Sequence, residues 1–194
     1  MNRLMCLLGL LVSLVTLQAQ QNAYETDVQQ AFISGGNIRL HLEAGGYTIR
    51  PSDANNIVVT YHANSEQERS AVKVKIKSTA TSAEVYVTHT PRNNFQATID
   101  VPRRSNLWAR LSAGQLDVRD VEGDKDIELW AGELDLSVPH PEGYGHRDAS
   151  VLAGSIEASA FNVSKGGMFR SFRENGPGTY RLHAHVTTGE INLR

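Results

Sequence analysis

The stretch LSAGQLDV at residues 111–118 recurs almost unchanged as LWAGELDL at residues 129–136, and the two glycines (114 and 132) are 18 residues apart. Two looser copies follow, VLAGSIEA at residues 151–158 and VTTGEINL at residues 186–193. Their glycines lie 22 residues (132 to 154) and then 35 residues (154 to 189) further on, so loops of different length separate the copies. Self-similarity of this kind is typical of proteins that stack one small structural unit on the next.

When the copies are aligned on their glycines, two apolar positions alternate with polar ones. They are occupied by Leu116, Leu134, Ile156 and Ile191, and by Val118, Leu136, Ala158 and Leu193. Because alternate residues of a strand share a face, these positions predict two apolar ladders on one face. No single copy can bury that face alone, whereas stacked copies form a continuous core. We therefore predict an all-β protein with a β-solenoid or β-helix-like stack of short rungs. A β-sandwich whose hairpins share G-x-[LI] turns is the alternative.

Strand patterns also dominate the first half of the chain. Segments such as NIRLHLEA (37–44), NIVVTYHA (56–63) and AVKVKIKS (71–78) alternate apolar and polar residues. Clusters of Gly, Asn, Pro and Ser separate them, and no segment keeps a helical period over three turns. These patterns predict an antiparallel β region that precedes the rungs. We expect one domain over residues 20–194, with the rungs at about 105–194.

The first 19 residues, MNRLMCLLGLLVSLVTLQA, have the pattern of a secretory signal peptide. A basic residue, Arg3, precedes an apolar run. Leu17-Gln18-Ala19 has the pattern of a small-residue cleavage site, with cleavage expected after Ala19. The run is short for a membrane span, which needs about 20 apolar residues; an uncleaved anchor is the alternative. We expect export to the periplasm, the cell surface or the extracellular space, with no stable membrane span after cleavage.

Composition excludes several functions for the mature chain. The single cysteine, Cys6, lies in the predicted signal peptide, so neither a disulfide nor a Cys-ligated metal is expected. The chain has 19 basic and 21 acidic residues, a net charge of −2 with neutral histidines. Because there is no basic excess, nucleic acid is not an expected partner.

The segment IDVPRRSNLWARLSAGQLDVRDVEGDKDIELWAGELDLSV (99–138) resembles the "putative adhesin" (DUF4097-like) domain found in secreted bacterial proteins of unknown function. The resemblance rests on the strand end Val101-Pro102, on the repeated xxG-x-[IL]-x-[LV] rungs and on the closing segment GPGTYRLHAHVTTGEINLR (176–194). It covers about residues 30–194. It implies a solenoid-like architecture and a binding or structural role in the cell envelope, and it brings no catalytic residues with it.

The sequence contains no complete catalytic motif. G-x-S-x-G, H-E-x-x-H and a phosphate-binding loop are all missing. We therefore expect a non-enzymatic protein without a cofactor. The alternative is a secreted β-helical polysaccharide lyase or glycoside hydrolase, in which carboxylates from distant rungs converge.

One pair of histidines has the spacing of metal ligands. His183 and His185 would share a strand face, and Glu190 or His146 is a conceivable third ligand. Because no ligand motif is complete, we assign no metal site and interpret both histidines as surface residues.

A column of acidic residues is predicted on the outer face of the rungs. It contains Asp117, Asp135, Glu157 and Asn192, with Glu133 and Glu190 nearby. Such a column keeps a stack soluble, and the alternative is a surface for cations or a basic partner.

Parity along the second rung places Leu129 and Ala131 inward, so Trp130 is predicted to point outward. Leu152 has the equivalent position in a later rung. A candidate binding surface for a glycan or an envelope protein therefore combines Trp130 and Leu152 with the acidic residues Asp117, Asp135 and Glu157. The alternative is that the loop at residues 139–148 or the N-terminal strands cover Trp130.

Overall fold

The computed structural model describes residues 25–194, and the predicted signal peptide lies outside the described residues. The twelve strands of this region are β1 (Glu25–Ala31), β2 (Asn37–Leu42), β3 (Gly45–Ser52), β4 (Asn56–His62), β5 (Lys73–Ser78), β6 (Ser82–Thr88), β7 (Gln96–Pro102), β8 (Asn106–Val118), β9 (Lys125–Leu136), β10 (Tyr144–Ala158), β11 (Val163–Asn175) and β12 (Tyr180–Leu193). A six-residue helix, α1 (Glu66–Ala71), precedes β5, and Pro141–Gly143 and Ser159–Phe161 form short 3₁₀ turns. The predicted all-β class is confirmed.

Helix α1 was not predicted, although its sequence carries a start signal. The hydroxyl oxygen of Ser65 accepts a hydrogen bond from the backbone N–H of Glu68 at 3.2 Å. The carboxylate of Glu68 accepts one from the backbone N–H of Asn64 at 3.1 Å. Ser-x-x-Glu is the pattern that satisfies the free N–H groups of a first helical turn.

All twelve strands belong to one mixed sheet, which is not closed. Its longest path runs β1-β4-β7-β3-β8-β9-β12-β10-β11, and β2, β6 and β5 branch from β8. The prediction of an antiparallel N-terminal region is only partly right, because the pairing of its strands is mixed. Strands β2 and β3 pair in parallel with β6, β7 and β8, and only β1, β4 and β5 join by antiparallel pairing.

The four copies of the repeat stack in parallel, but not in chain order. Gly114 pairs with Gly132, Gly132 with Gly189, and Gly189 with Gly154, so the last copy lies between the second and the third. Strand β11 then pairs in antiparallel fashion with β10 and ends the sheet. The spacing of the copies along the chain does not predict the order in which they stack. The long loops permit the last copy to lie either between the second and third copies or beyond the third.

A fifth copy was not recognised in the sequence. LEAGGYTI at residues 42–49 follows the pattern of LSAGQLDV at residues 111–118. Its two ends belong to β2 and β3, which pair with the two halves of β8, and Gly45 lies opposite Gly114. The stacked register therefore extends into the N-terminal half of the chain.

Each long strand turns a corner at its glycine. In β9 the buried residues before the corner are odd-numbered (Ile127, Leu129), whereas those after it are even-numbered (Leu134, Leu136). Gly132 has φ +129°, a backbone conformation that only glycine adopts readily. We refer to the half before the glycine as the first arm and to the half after it as the second arm.

The inner faces of both arms form the core. Leu116, Leu134, Ile156 and Ile191 are fully buried and lie at one register position of neighbouring strands, so the predicted column is confirmed. The residues of the second predicted ladder are equally buried: Val118, Leu136, Ala158 and Leu193. No helix within residues 25–194 is long and apolar enough to cross a membrane.

Candidate functional site

Trp130 is exposed on the outer face of the first arm of β9. Its neighbour Leu129 is buried, as the alternation predicts, whereas Ala131 on the other side is half-buried. The side chain is 71% exposed. Neither the loop at residues 139–148 nor the N-terminal strands cover the ring, so that alternative is wrong.

An open groove of about 430 Å³ lies beside Trp130. Its floor and walls combine the indole with polar side chains of the same outer face, among them His41, Arg110, Glu128, His185 and Thr187. These residues come from four parallel strands, and register brings them together: Arg110 lies opposite Glu128, and Glu128 lies opposite His185. The groove offers one broad aromatic surface next to hydrogen-bond donors and acceptors.

Arg110 organises the polar side of this groove. Its guanidinium donates to Asp126 Oδ1 at 2.8 Å and lies 3.1 Å from Glu128 Oε1. A second nitrogen donates to the Asp126 carbonyl at 2.9 Å. The guanidinium carbon also lies 4.0 Å from the centre of the Trp108 ring, a cation–π contact. Arg110 is therefore held in place, and its charge is matched by two carboxylates.

His183 lies near Asp126 and Glu128 rather than near the predicted Glu190, and the other predicted candidate, His146, contacts the same Asp148 as His183. Ligand atoms of Asp126, Glu128 and His183 lie within 4.8 Å of one another, whereas Glu190 is on the second arm of β12. His183 Nδ1 is 2.8 Å from Asp148 Oδ2, and its Nε2 is 3.8 Å from Glu128 Oε1. The Arg110 guanidinium already binds both Asp126 and Glu128. Because this cation supplies the positive charge that the carboxylates require, the geometry does not call for a metal ion.

A second groove of about 280 Å³ adjoins the first on the same outer face. Leu152 and Phe169 line it, with side chains that are 41% and 73% exposed. His185 lines both grooves. Phe169 was missed by the sequence analysis, because its strand β11 shows no apolar alternation and buries only Phe172.

If the copies stacked in chain order, Trp130 and Leu152 would lie on adjacent strands. The structure separates them. Strand β12 lies between β9 and β10, and it places Thr187 between the two side chains. The separation is two strand spacings, about 10 Å.

The predicted acidic residues lie across the corner, on the outer face of the second arms. Their column is interrupted, because Asn192 lies between Asp135 and Glu157. Asp117 is paired with Arg119 at 2.7 Å, and Asp135 is paired with Arg194 at 2.5 Å. The structure therefore does not present a continuous anionic surface beside Trp130.

A buried polar pair lies at the other end of the first arms. Lys125 is 1% exposed and donates to the Gly123 carbonyl at 3.1 Å and to the Tyr144 hydroxyl. Burial lowers the pKa of Lys125 to about 8, although Asp124 and Glu122 act in the opposite direction. Burial also raises the pKa of Tyr144. The pair fixes the start of β10, and Tyr144 forms a wall of a cavity of about 240 Å³ that Tyr180 also lines.

Comparison with solved structures shows a shared fold with one protein. A "putative cell adhesion protein" from Clostridium sporogenes matches with a TM-score of 0.53 and 11% identity, over 87% of this chain and 98% of that chain. A "putative adhesin" from Parabacteroides merdae matches at 11% identity and a TM-score of 0.29, over 89% of this chain and 78% of that chain. A "putative lipid binding protein" from Parabacteroides distasonis matches at 10% identity and a TM-score of 0.27, over 89% of this chain and 98% of that one. No family model matches the chain, and no curated protein matches it.

Proposed function

We propose that this chain is an exported, non-enzymatic binding module of the bacterial cell envelope, and that it binds through the outer face of its first arms. One observation carries the proposal: Trp130, 71% exposed, stands beside an open groove that polar side chains also line. A large aromatic side chain left in water next to further apolar residues is typical of a contact site. The fold shared with a "putative cell adhesion protein" agrees with a binding role.

Export and architecture are part of the same proposal. The pattern of residues 1–19 supports a signal peptide that is cleaved after Ala19, which leaves residues 20–194 as one domain. The stacked, in-register copies support a solenoid-like arrangement of the DUF4097-like kind. The final location is the periplasm, the cell surface or the extracellular space.

The carboxylates at the groove favour binding over catalysis. Glycoside cleavage by paired carboxyl groups requires one of them to act as a protonated acid. Asp126 and Glu128 both contact the Arg110 guanidinium, at 2.8 Å and 3.1 Å. Both carboxylates are therefore engaged in an ion pair within the protein, which supports a binding role for this groove.

Cell fractionation tests the export half of the proposal. We expect the protein outside the cytoplasm, with an N-terminus that begins at residue 20. A cytoplasmic protein with an intact N-terminus would contradict export.

Retention of the purified protein on cell-envelope preparations tests the binding half. We expect Trp130→Ala to lose retention and Met168→Ala to keep it, because Met168 is 63% exposed but lines neither groove. Equal retention of both variants would contradict a binding role for this face. Release of soluble products from neutral or uronate-containing polysaccharides, abolished by Glu128→Gln, would instead establish an enzyme.

A further inference from the structure

Two exposed aromatic side chains mark the ends of a single row on the outer face. Trp130, Thr187, Leu152 and Phe169 lie at equivalent places on the neighbouring strands β9, β12, β10 and β11, because the residues on either side of each are paired in register. Trp130 and Phe169 are the most exposed large apolar side chains within residues 25–194, at 71% and 73%. Three strand spacings separate them, about 14 Å. We call these four residues the apolar row.

A polar row runs parallel to the apolar row on the same face, two residues along each strand. It consists of Arg110, Glu128, His185, Ser150 and Ser171, which are paired in register. Two residues along a strand correspond to about 6.6 Å. His185 occupies the middle: its Nδ1 is 2.8 Å from Ser150 Oγ, and its Nε2 is 3.5 Å from Thr187 Oγ1. The face thus presents aromatic surface along one line and hydrogen-bonding groups along the next.

The charged groups of the polar row are paired with neighbouring groups, which favours a neutral ligand there. Arg110 is the cation of the polar row, and it is bound to Asp126 and Glu128. A further cation, Arg170, lines the second groove, where its Nε donates to the Gly166 carbonyl at 2.8 Å. The remaining members of the polar row, His185, Ser150 and Ser171, offer ring nitrogens and hydroxyl groups for hydrogen bonds.

From these two rows we infer that the outer face of β9–β12 binds a neutral, linear oligosaccharide that lies across the strands. This inference rests on the proposed binding function and names its ligand class. One face of a pyranose ring carries C–H bonds with partial positive charge, which are attracted to the negative face of an indole or phenyl ring. The hydroxyls around the ring edge need both donors and acceptors, and the polar row supplies them. Because two aromatic rings stand about 14 Å apart, the ligand spans more than one sugar.

The backbone at Phe169 is consistent with a ring held outward for contact. Phe169 has φ +54°, a left-handed conformation that is a genuine outlier for a bulky residue. Opposite it, Leu152 continues the apolar surface toward Thr187. Both grooves are open, whereas a lipid tail requires an enclosed apolar cavity.

Binding of the purified protein to neutral oligosaccharides of one to six sugars tests the inference. Suitable probes are β-1,4-glucose, α-1,4-glucose, xylose and N-acetylglucosamine oligomers, with matched uronate oligomers as the charged set. We expect affinity for one neutral series to rise with chain length. Trp130→Ala should weaken binding of all lengths by about tenfold or more, the size of one aromatic contact plus its buried area.

Phe169→Ala separates the two ends of the site. It should abolish the gain from added sugars and leave the binding of the shortest oligomers intact, whereas Met168→Ala should change neither. All three side chains are exposed, so the variants should keep the wild-type melting temperature. Tight binding of only the uronate series would overturn the inference.

The failure of this inference is distinguishable from failure of the proposed function. If no neutral oligosaccharide binds, while Trp130→Ala still abolishes retention on envelope preparations, the face binds another class of ligand and the inference of a neutral glycan is wrong. If neither substitution alters any binding, both proposals are wrong.

Discussion

A Cβ atom built on Gly132 would lie 1.8 Å from the carbonyl oxygen of Gly114 in the next strand. The same relationship continues along the stack: Gly189 approaches Gly132 in this way, and Gly154 approaches Gly189. Each corner therefore rests directly on the backbone of its neighbour. The repeat keeps glycine at this position because any side chain there would occupy the place of the neighbouring carbonyl.

Replacement of Gly132 by alanine should be strongly destabilising. The added carbon meets backbone that cannot move aside, and the residue must also keep φ +129°. We expect a loss of about 2–6 kcal/mol in the free energy of unfolding, from strain and overpacking together. Chemical denaturation measures it. Gly166→Ala is the matched control, because its Cβ would meet nothing within 4 Å; it should change stability by less than about 0.5 kcal/mol. Similar losses for both variants would refute the stacked-corner explanation.

Leu134→Ala should show what the buried column contributes. Leu134 is fully buried between Leu116 and Ile191, so truncation leaves a cavity. We expect a cost of about 2–5 kcal/mol in urea denaturation. Leu152→Ala, at a side chain that is 41% exposed, should cost less than about 1 kcal/mol. A Leu134→Ala variant as stable as Leu152→Ala would mean that the column is not packed.

Fluorescence can distinguish the environments of the two tryptophans. In a Trp108→Phe variant the emission comes from Trp130, which is 71% exposed, so it should be red-shifted and readily quenched by acrylamide. In a Trp130→Phe variant it comes from Trp108, which is partly covered by Arg110 and His41, and quenching should be weaker. A blue-shifted Trp130 emission that resists quenching by acrylamide would show that Trp130 is not part of an exposed binding surface.

Lys125 should make stability depend on pH in the alkaline range. Its pKa is lowered to about 8 in the folded state by burial, compared with 10.5 for a lysine in water. Below pH 8 both states are protonated and the residue contributes no pH dependence. Above pH 8 the folded state releases a proton that the unfolded state retains, so the free energy of unfolding increases with pH. We expect a rise of about 2 kcal/mol between pH 7 and pH 9.5.

A Lys125→Met variant should lack this rise, and Lys75→Gln should retain it, because Lys75 is exposed on β5. The window ends near pH 10, where tyrosines of the unfolded state begin to ionise while burial keeps Tyr144 protonated. Denaturation curves at several pH values measure the difference between wild type and each variant. Parallel curves for wild type and Lys125→Met would show that Lys125 titrates normally.

The sequence by itself determined the local conformation and the inside–outside pattern. Period-two alternation identified strands, buried Leu134 and exposed Trp130, because the faces of a strand are set by the backbone and need no knowledge of neighbours. The recurring glycine identified the stacking unit, since only a close backbone approach requires it in every copy. The fifth copy, LEAGGYTI, and the helix start Ser65-x-x-Glu68 were also present in the sequence and were overlooked.

Only the tertiary structure decided which outer residues meet. Strand order is set by crossover connections that leave no periodic signal, and here it inserts β12 between β9 and β10. That insertion separates Trp130 from Leu152, places His185 between the two grooves, and breaks the acidic column with Asn192. Phe169 becomes part of the site for the same reason, because antiparallel pairing of β11 with β10 brings it into the groove that Leu152 also lines. Contacts across strands depend on register and order, and these are settled by packing of the whole sheet rather than by any one segment.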